Sequence, residues 1–117
     1  MNCYFWRSLS STIFHEFIAY FELNPDFDPS DLAELGLDLL KKKIYPAEGV
    51  ETIAWYLSPG LWGTAISKAE SVEALMNNVN AWRIAKPGIF KSYKIEPAME
   101  TRELIPVVVK LAKKVKG

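Results

Sequence analysis

The sequence predicts an α+β chain of the ferredoxin-like, split βαβ kind, with a four-stranded antiparallel sheet. Three observations point there. Two β-rich segments, Val50–Leu57 and Leu61–Lys68, flank the turn Ser58-Pro59-Gly60 and read as a hairpin. A serine-capped amphipathic helix and a further strand follow the hairpin. A strand and helical segments precede it, so the order is strand, helices, strand, strand, helix, strand.

The elements are taken in chain order. Asn2–Arg7, with Cys3, Tyr4, Phe5 and Trp6, is rich in strand-favouring side chains and is expected to be the first strand. Ser10, Ser11 and Thr12 offer helix caps, and Ile13, Phe14, Phe17, Ile18 and Phe21 recur at three- and four-residue intervals. That spacing predicts a helix running to about Leu23, an additional helix before the hairpin. Asp28-Pro29 starts another, with Leu32, Leu35, Leu39 and Ile44 on its apolar side and Pro46 as its stop. Ser71 caps the helix that places Val72, Leu75, Met76, Val79 and Trp82 together, ended by Lys86-Pro87-Gly88. Ile89–Glu96 is the last strand, closed by Pro97. In the tail, residues 101–117, Leu104, Val108, Leu111 and Val115 follow helical spacing opposite Lys110, Lys113, Lys114 and Lys116. This tail is expected to pack on its own domain or on a partner. Pro106 fits a helix only within its first turn.

Length and composition bound the rest. The 117 residues are 50% hydrophobic and 24% charged, which suits one domain over residues 1–117 with a core of its own. The single cysteine, Cys3, excludes an internal disulfide and fits a reducing compartment. No secretion signal and no apolar run long enough to span a bilayer appears, so a cytoplasmic protein without membrane attachment is expected. Net charge is zero, yet residues 1–40 hold one basic and seven acidic side chains, and residues 41–117 thirteen basic and seven acidic. The lysines cluster at helix ends, where they complement the helix dipole, so nucleic-acid binding is not expected.

Both phases of the hairpin strands carry apolar residues. In a two-layer fold the sheet face away from the helices is polar when the protein works alone. An apolar one needs a cover, and the simplest is the same face of a second copy, in a twofold homodimer.

Glu48-Gly49-Val50, Trp55, Trp62-Gly63, Glu70-Ser71, Glu73-Ala74-Leu75, Ala81-Trp82 and Glu96-Pro97 are the residues that carry a family likeness. The stretch from about Glu48 to Glu103 resembles a small uncharacterised family within the dimeric α/β-barrel superfamily. The resemblance implies a homodimer with a pocket between sheet and helices. Some members of the superfamily are monooxygenases, isomerases or haem-handling proteins.

Few residues suggest chemistry. His15 is the one histidine, so a histidine-cluster metal site is excluded, and Glu16 beside it on a helix points about 100° away. Cys3 has no basic neighbour to activate it. No phosphate-cradling glycine motif or paired carboxylates occur, and no cofactor is called for. Trp55, Tyr56, Trp62 and Trp82 with Arg83 are the pocket candidates, with His15 added as the sole imidazole, since Trp and Tyr join an apolar body to a polar tip. The expected function is a homodimeric, non-catalytic module that binds a small apolar or aromatic ligand. The alternatives are a monooxygenase- or isomerase-like enzyme and a structural or regulatory interaction module.

Overall fold

The computed structural model describes residues 15–117. Seven elements follow one another: β1 (His15–Leu23), α1 (Pro29–Lys41), β2 (Val50–Leu57), β3 (Trp62–Ala69), α2 (Val72–Ala85), β4 (Phe90–Ala98) and α3 (Thr101–Lys116). The strands form one antiparallel sheet in the order β2-β3-β1-β4, with α1 and α2 as the two crossovers. This is the ferredoxin-like arrangement the element order predicts.

One assignment is corrected. Residues 15–23 are not helical but form β1, a central strand bonded to β3 on one side and β4 on the other. A strand with apolar side chains on both faces loses the polar alternation that marks most strands. Phe17, Ile18 and Phe21 therefore mimic a helical stripe, while the run Phe17–Phe21 is aromatic and β-branched, as strands prefer. Among the described residues, one helix, not two, precedes the hairpin. The strand expected at Asn2–Arg7, the caps at Ser10–Thr12 and Cys3 all lie outside the described residues.

The remaining elements form for local reasons. Asp28 caps α1, its Oδ1 accepting from the Ser30 N–H at 2.7 Å, with Pro29 in the first turn. The helix ends at Lys41, short of Ile44. Ser58–Leu61 turns the hairpin, where the Ser58 hydroxyl donates to the Trp62 carbonyl at 2.7 Å. The Ser71 hydroxyl accepts from the Ala74 N–H at 3.0 Å and so caps α2. β4 continues through Pro97 to Ala98, which an edge strand tolerates because the missing N–H can face outward. Pro106 lies inside α3, beyond its first turn, so that helix gives up a backbone hydrogen bond.

Register fixes the two faces of the sheet. Trp55 opposite Ala65, Ala65 opposite Ala19 and Ala19 opposite Ile95 form one row beneath the helices. Tyr20 opposite Thr64, with Tyr56 beyond, belongs to the other, open face. The buried core is slight and dominated by alanine: Leu39, Tyr45, Ala47, Ala65, Ala69, Ala74 and Ile89, with Ser67 and Asn78. No side chain of α3 is buried, and its apolar stripe Leu104, Val108, Leu111 and Val115 is exposed. Among the described residues, no helix is long and apolar enough to cross a membrane.

Candidate functional site

The space between the sheet and its helices is not filled. On β3 the residues facing the helices are Gly63, Ala65, Ser67 and Ala69, all small, and the neighbouring strand offers Ala19. Above them α1 presents Ala33 and Gly36. Small side chains on both layers leave a cavity of about 640 Å³, walled by Phe17, Phe21, Leu32, Leu75, Val79, Ile89 and Ile95 among others. Among the described residues, no lysine, arginine, histidine, aspartate or glutamate lines it. Leu37, Leu40, Trp55 and Tyr93 border it and are also exposed, so it opens to solvent.

One wall is aromatic. Tyr45 lies 5.0 Å from Trp55 and 5.1 Å from Trp82 between ring centroids, and the two tryptophans are 5.8 Å apart. Interplanar angles of 53–74° make these edge-on or tilted contacts, the arrangement aromatic quadrupoles favour. The three rings touch one another, so the cluster is a wall and not a cage around a cation.

The same corner holds the cavity's polar groups. Asn78 is buried on α2, and its Oδ1 accepts from the Ala47 N–H at 2.8 Å. Ser67, buried on β3, stands opposite Thr52 in register. The Thr52 hydroxyl is buried without a partner at hydrogen-bonding geometry. Burial pushes the Tyr45 phenol above its usual pKa, while the nearby polar side chains of Thr52 and Asn78 pull it down. The net shift is upward, so at neutral pH the phenol is a hydrogen-bond donor.

Of the residues singled out from sequence, Trp55, Tyr56 and Trp82 border the cavity. Trp62 does not: it lies on the open face, 56% exposed. Arg83 turns outward, its guanidinium 3.2 Å from Asn80 Oδ1 and 5.5 Å from the Tyr93 ring centre. His15 is exposed at the start of β1, not on a helix, and borders no part of the cavity. Sequence reasoning passed over Tyr45, Asn78, Ser67 and Thr52. Tyr45 sits in the loop after α1, directly before Pro46, and Asn78 reads as one more polar helical residue. The small-residue phase of β3 was the available signal. Among the described residues, no group of three or more histidine, cysteine, aspartate or glutamate side chains could hold a metal ion.

No known protein-family description matches the chain, and no curated protein is similar to it. Solved structures do resemble it. A conserved protein from Methanosarcina mazei Go1 superposes with a TM-score of 0.50 at 12% identity, covering 80% of this chain and 98% of the other. A proposed antibiotic biosynthesis monooxygenase from Caulobacter crescentus CB15 gives 0.50 at 18% identity, with 74% and 91% covered. An uncharacterised NIPSNAP-like domain protein from Burkholderia xenovorans gives 0.50 at 11% identity, with 74% and 85% covered. At such identities the likeness concerns the fold alone. The chain is a ferredoxin-like α+β protein.

Proposed function

We propose that the protein is a homodimeric binding module that holds a small neutral, apolar or aromatic ligand between its sheet and helices. The observation that carries this reading is the cavity of about 640 Å³ with no charged side chain among the described residues that line it. Its size falls within the range of small-molecule sites, and its apolar walls with a few polar groups are typical of them. A ligand carboxylate or ammonium would lose its hydration there without gaining a partner, so neutral molecules are favoured. Trp55 and Trp82 supply the aromatic contacts in this reading and Tyr45 a hydrogen bond, whereas the Tyr56 side chain, on the open face, belongs to the dimer surface. Among the described residues, the lining offers no carboxylate or imidazole for proton transfer, which speaks for binding over acid–base catalysis.

The dimer rests on the open face. Tyr20, Tyr56 and Trp62 there are 55%, 70% and 56% exposed, beside Ile18 and Ile66, an apolar area that an isolated subunit would leave wet.

The test is a titration of the purified protein with 1-naphthol, neutral and aromatic, against benzoate, followed by tryptophan fluorescence. Saturable quenching by naphthol, about one per chain, and none by benzoate is expected. Absence of saturation with naphthol, or equal binding of benzoate, would overturn the ligand reading. Sedimentation at micromolar concentration should give a dimer, and a stable monomer would remove the assembly.

A further inference from the structure

The cavity has one polar end, and the fold does not use all of it. Tyr45, Ser67 and Asn78 border the cavity and are 5%, 6% and 6% exposed. The other buried side chains among the described residues are aliphatic: Leu39, Ile89 and alanines. Burying a polar group without a partner costs free energy, so each of the three needs a reason to be there.

Asn78 has half of one. Its Oδ1 takes the Ala47 N–H at 2.8 Å, which fixes the orientation of the amide. Its Nδ2 is left with two hydrogens, of which the neighbouring Tyr45 phenol oxygen can accept one. Ser67 lacks even that. It stands between Ala65 and Ala69 on the helix-facing side of β3, in a row where a methyl group would serve the packing. Among the described residues, no hydrogen bond engages its hydroxyl. Thr52, opposite Ser67 in register, adds a hydroxyl behind them that is buried and unpartnered.

The chemistry of this end is one-sided. Its side-chain groups are an amide nitrogen and hydroxyls, all of which carry hydrogens to give. Burial keeps the Tyr45 phenol protonated at neutral pH, so it is a donor too. The single oxygen without a hydrogen, Asn78 Oδ1, already serves Ala47. What the corner lacks is an acceptor that brings no hydrogen of its own. A carbonyl oxygen is such an acceptor, and its two lone pairs can take two donors at once. A carboxylate would accept as well, but no cation lines the cavity among the described residues to balance its charge.

We infer that the ligand carries a neutral carbonyl group, as a ketone, aldehyde or amide does, whose oxygen docks at Tyr45, Ser67 and Asn78 while its apolar body fills the aliphatic part of the cavity. This rests on the reading of the cavity as a binding site and names the group that the site selects.

The test is competition calorimetry, in which 1-naphthol is titrated into the protein in the presence of 1-indanone or of indane. The two competitors share a bicyclic frame and differ by a carbonyl in place of a methylene. 1-Indanone should compete at a concentration roughly tenfold lower than indane, the effect of about one buried hydrogen bond. Competition by indane that equals or exceeds that of 1-indanone, with naphthol still binding, would mean that water serves the polar end as well as a ligand does. That result overturns the carbonyl and leaves an apolar binding site standing. No saturable binding of naphthol removes the site, and the carbonyl with it. Tyr45→Phe and Ser67→Ala each delete one hydroxyl with little change of shape. Either should lower the preference for indanone over indane by roughly three- to tenfold, and Ser67→Ala serves alone if Tyr45→Phe fails to fold. A preference left unchanged by the folded variants would overturn the assignment of the carbonyl to these residues.

Discussion

Asn78 is the polar residue on which the cavity's closed corner depends, and Asn78→Ala tests it. Its Oδ1 takes the Ala47 N–H at 2.8 Å, and both residues are buried. Removing the side chain leaves that N–H without a partner and away from water, a penalty of about 1–3 kcal/mol. Unfolding entropy is about 2.1 cal/mol/K per residue, so for a chain of 117 residues each kcal/mol shifts the melting temperature by roughly 4 °C. A fall of roughly 4–12 °C follows. Calorimetry gives the shift, and urea unfolding with an unchanged m-value shows that the native state, not the compactness of the unfolded chain, was altered. The companion Asn78→Asp keeps the acceptor but buries a charge. Its carboxyl would hold a proton more tightly folded than unfolded, so that variant should gain stability as pH falls from 7, levelling off below about 4. A change under about 0.5 kcal/mol in Asn78→Ala would mean that water serves Ala47 equally well and that the corner is not closed.

Three further outcomes are expected. Gly63→Ala places a Cβ on the Tyr56 carbonyl oxygen and 2.8 Å from the Phe21 ring, so the hairpin ladder must shift; a loss of about 2–4 kcal/mol is expected in urea unfolding. Ser71→Ala removes the α2 cap and should cost about 1 kcal/mol by the same measure. Tyr45 has a raised pKa through burial, so its contribution is intact below the unfolded value of about 10 and is lost as pH rises toward the folded one. Tyr45→Phe should therefore flatten the alkaline limb of a melting-temperature profile above pH of about 10, and an identical limb would contradict the burial of that phenol.

The sequence spoke clearly where turn chemistry and periodicity agree. Ser58-Pro59-Gly60 and Ser71 marked the hairpin and α2 nearly to the residue, because a turn and a cap are local events. β1 was misread because the clue to it is not local. Even its nearest paired residues, Glu22 and Trp62, lie 40 residues apart, and apolar side chains on both faces erased the alternation that signals a strand. Tryptophans 55 and 82 were legible as pocket candidates by their type, whereas Trp62 was not separable from them. Which phase of the hairpin faces the helices is set by pairing, and the irregularity between Thr52 and Ala54 interrupts the phase of β2. The polar corner was illegible for another reason. Tyr45, Thr52, Ser67 and Asn78 come from a loop, two strands and a helix, and only the tertiary fold brings them together.

Whether the cavity is a site or merely unfilled space is decided by filling it. Ala65 is buried in the middle of β3, between Trp55 and Ala19 in register, and lines the cavity from below. Ala65→Leu adds three carbons over open volume. In a close-packed interior such an insertion forces strain worth about 1–3 kcal/mol. Over a real cavity the added carbons leave water instead, at about 0.8 kcal/mol each, so the variant should be more stable by up to about 2 kcal/mol. The sign of the change in urea unfolding thus reports the emptiness of the space directly. Binding supplies the second half of the argument. If the small residues Ala65, Ser67 and Ala19 are there to leave room for a ligand, the stabilised variant should lose naphthol quenching, trading function for stability as filled sites do. A variant that is destabilised shows a packed interior and no cavity. One that is stabilised yet binds naphthol as before places the ligand elsewhere, and the small-residue phase of β3 then has only a packing role.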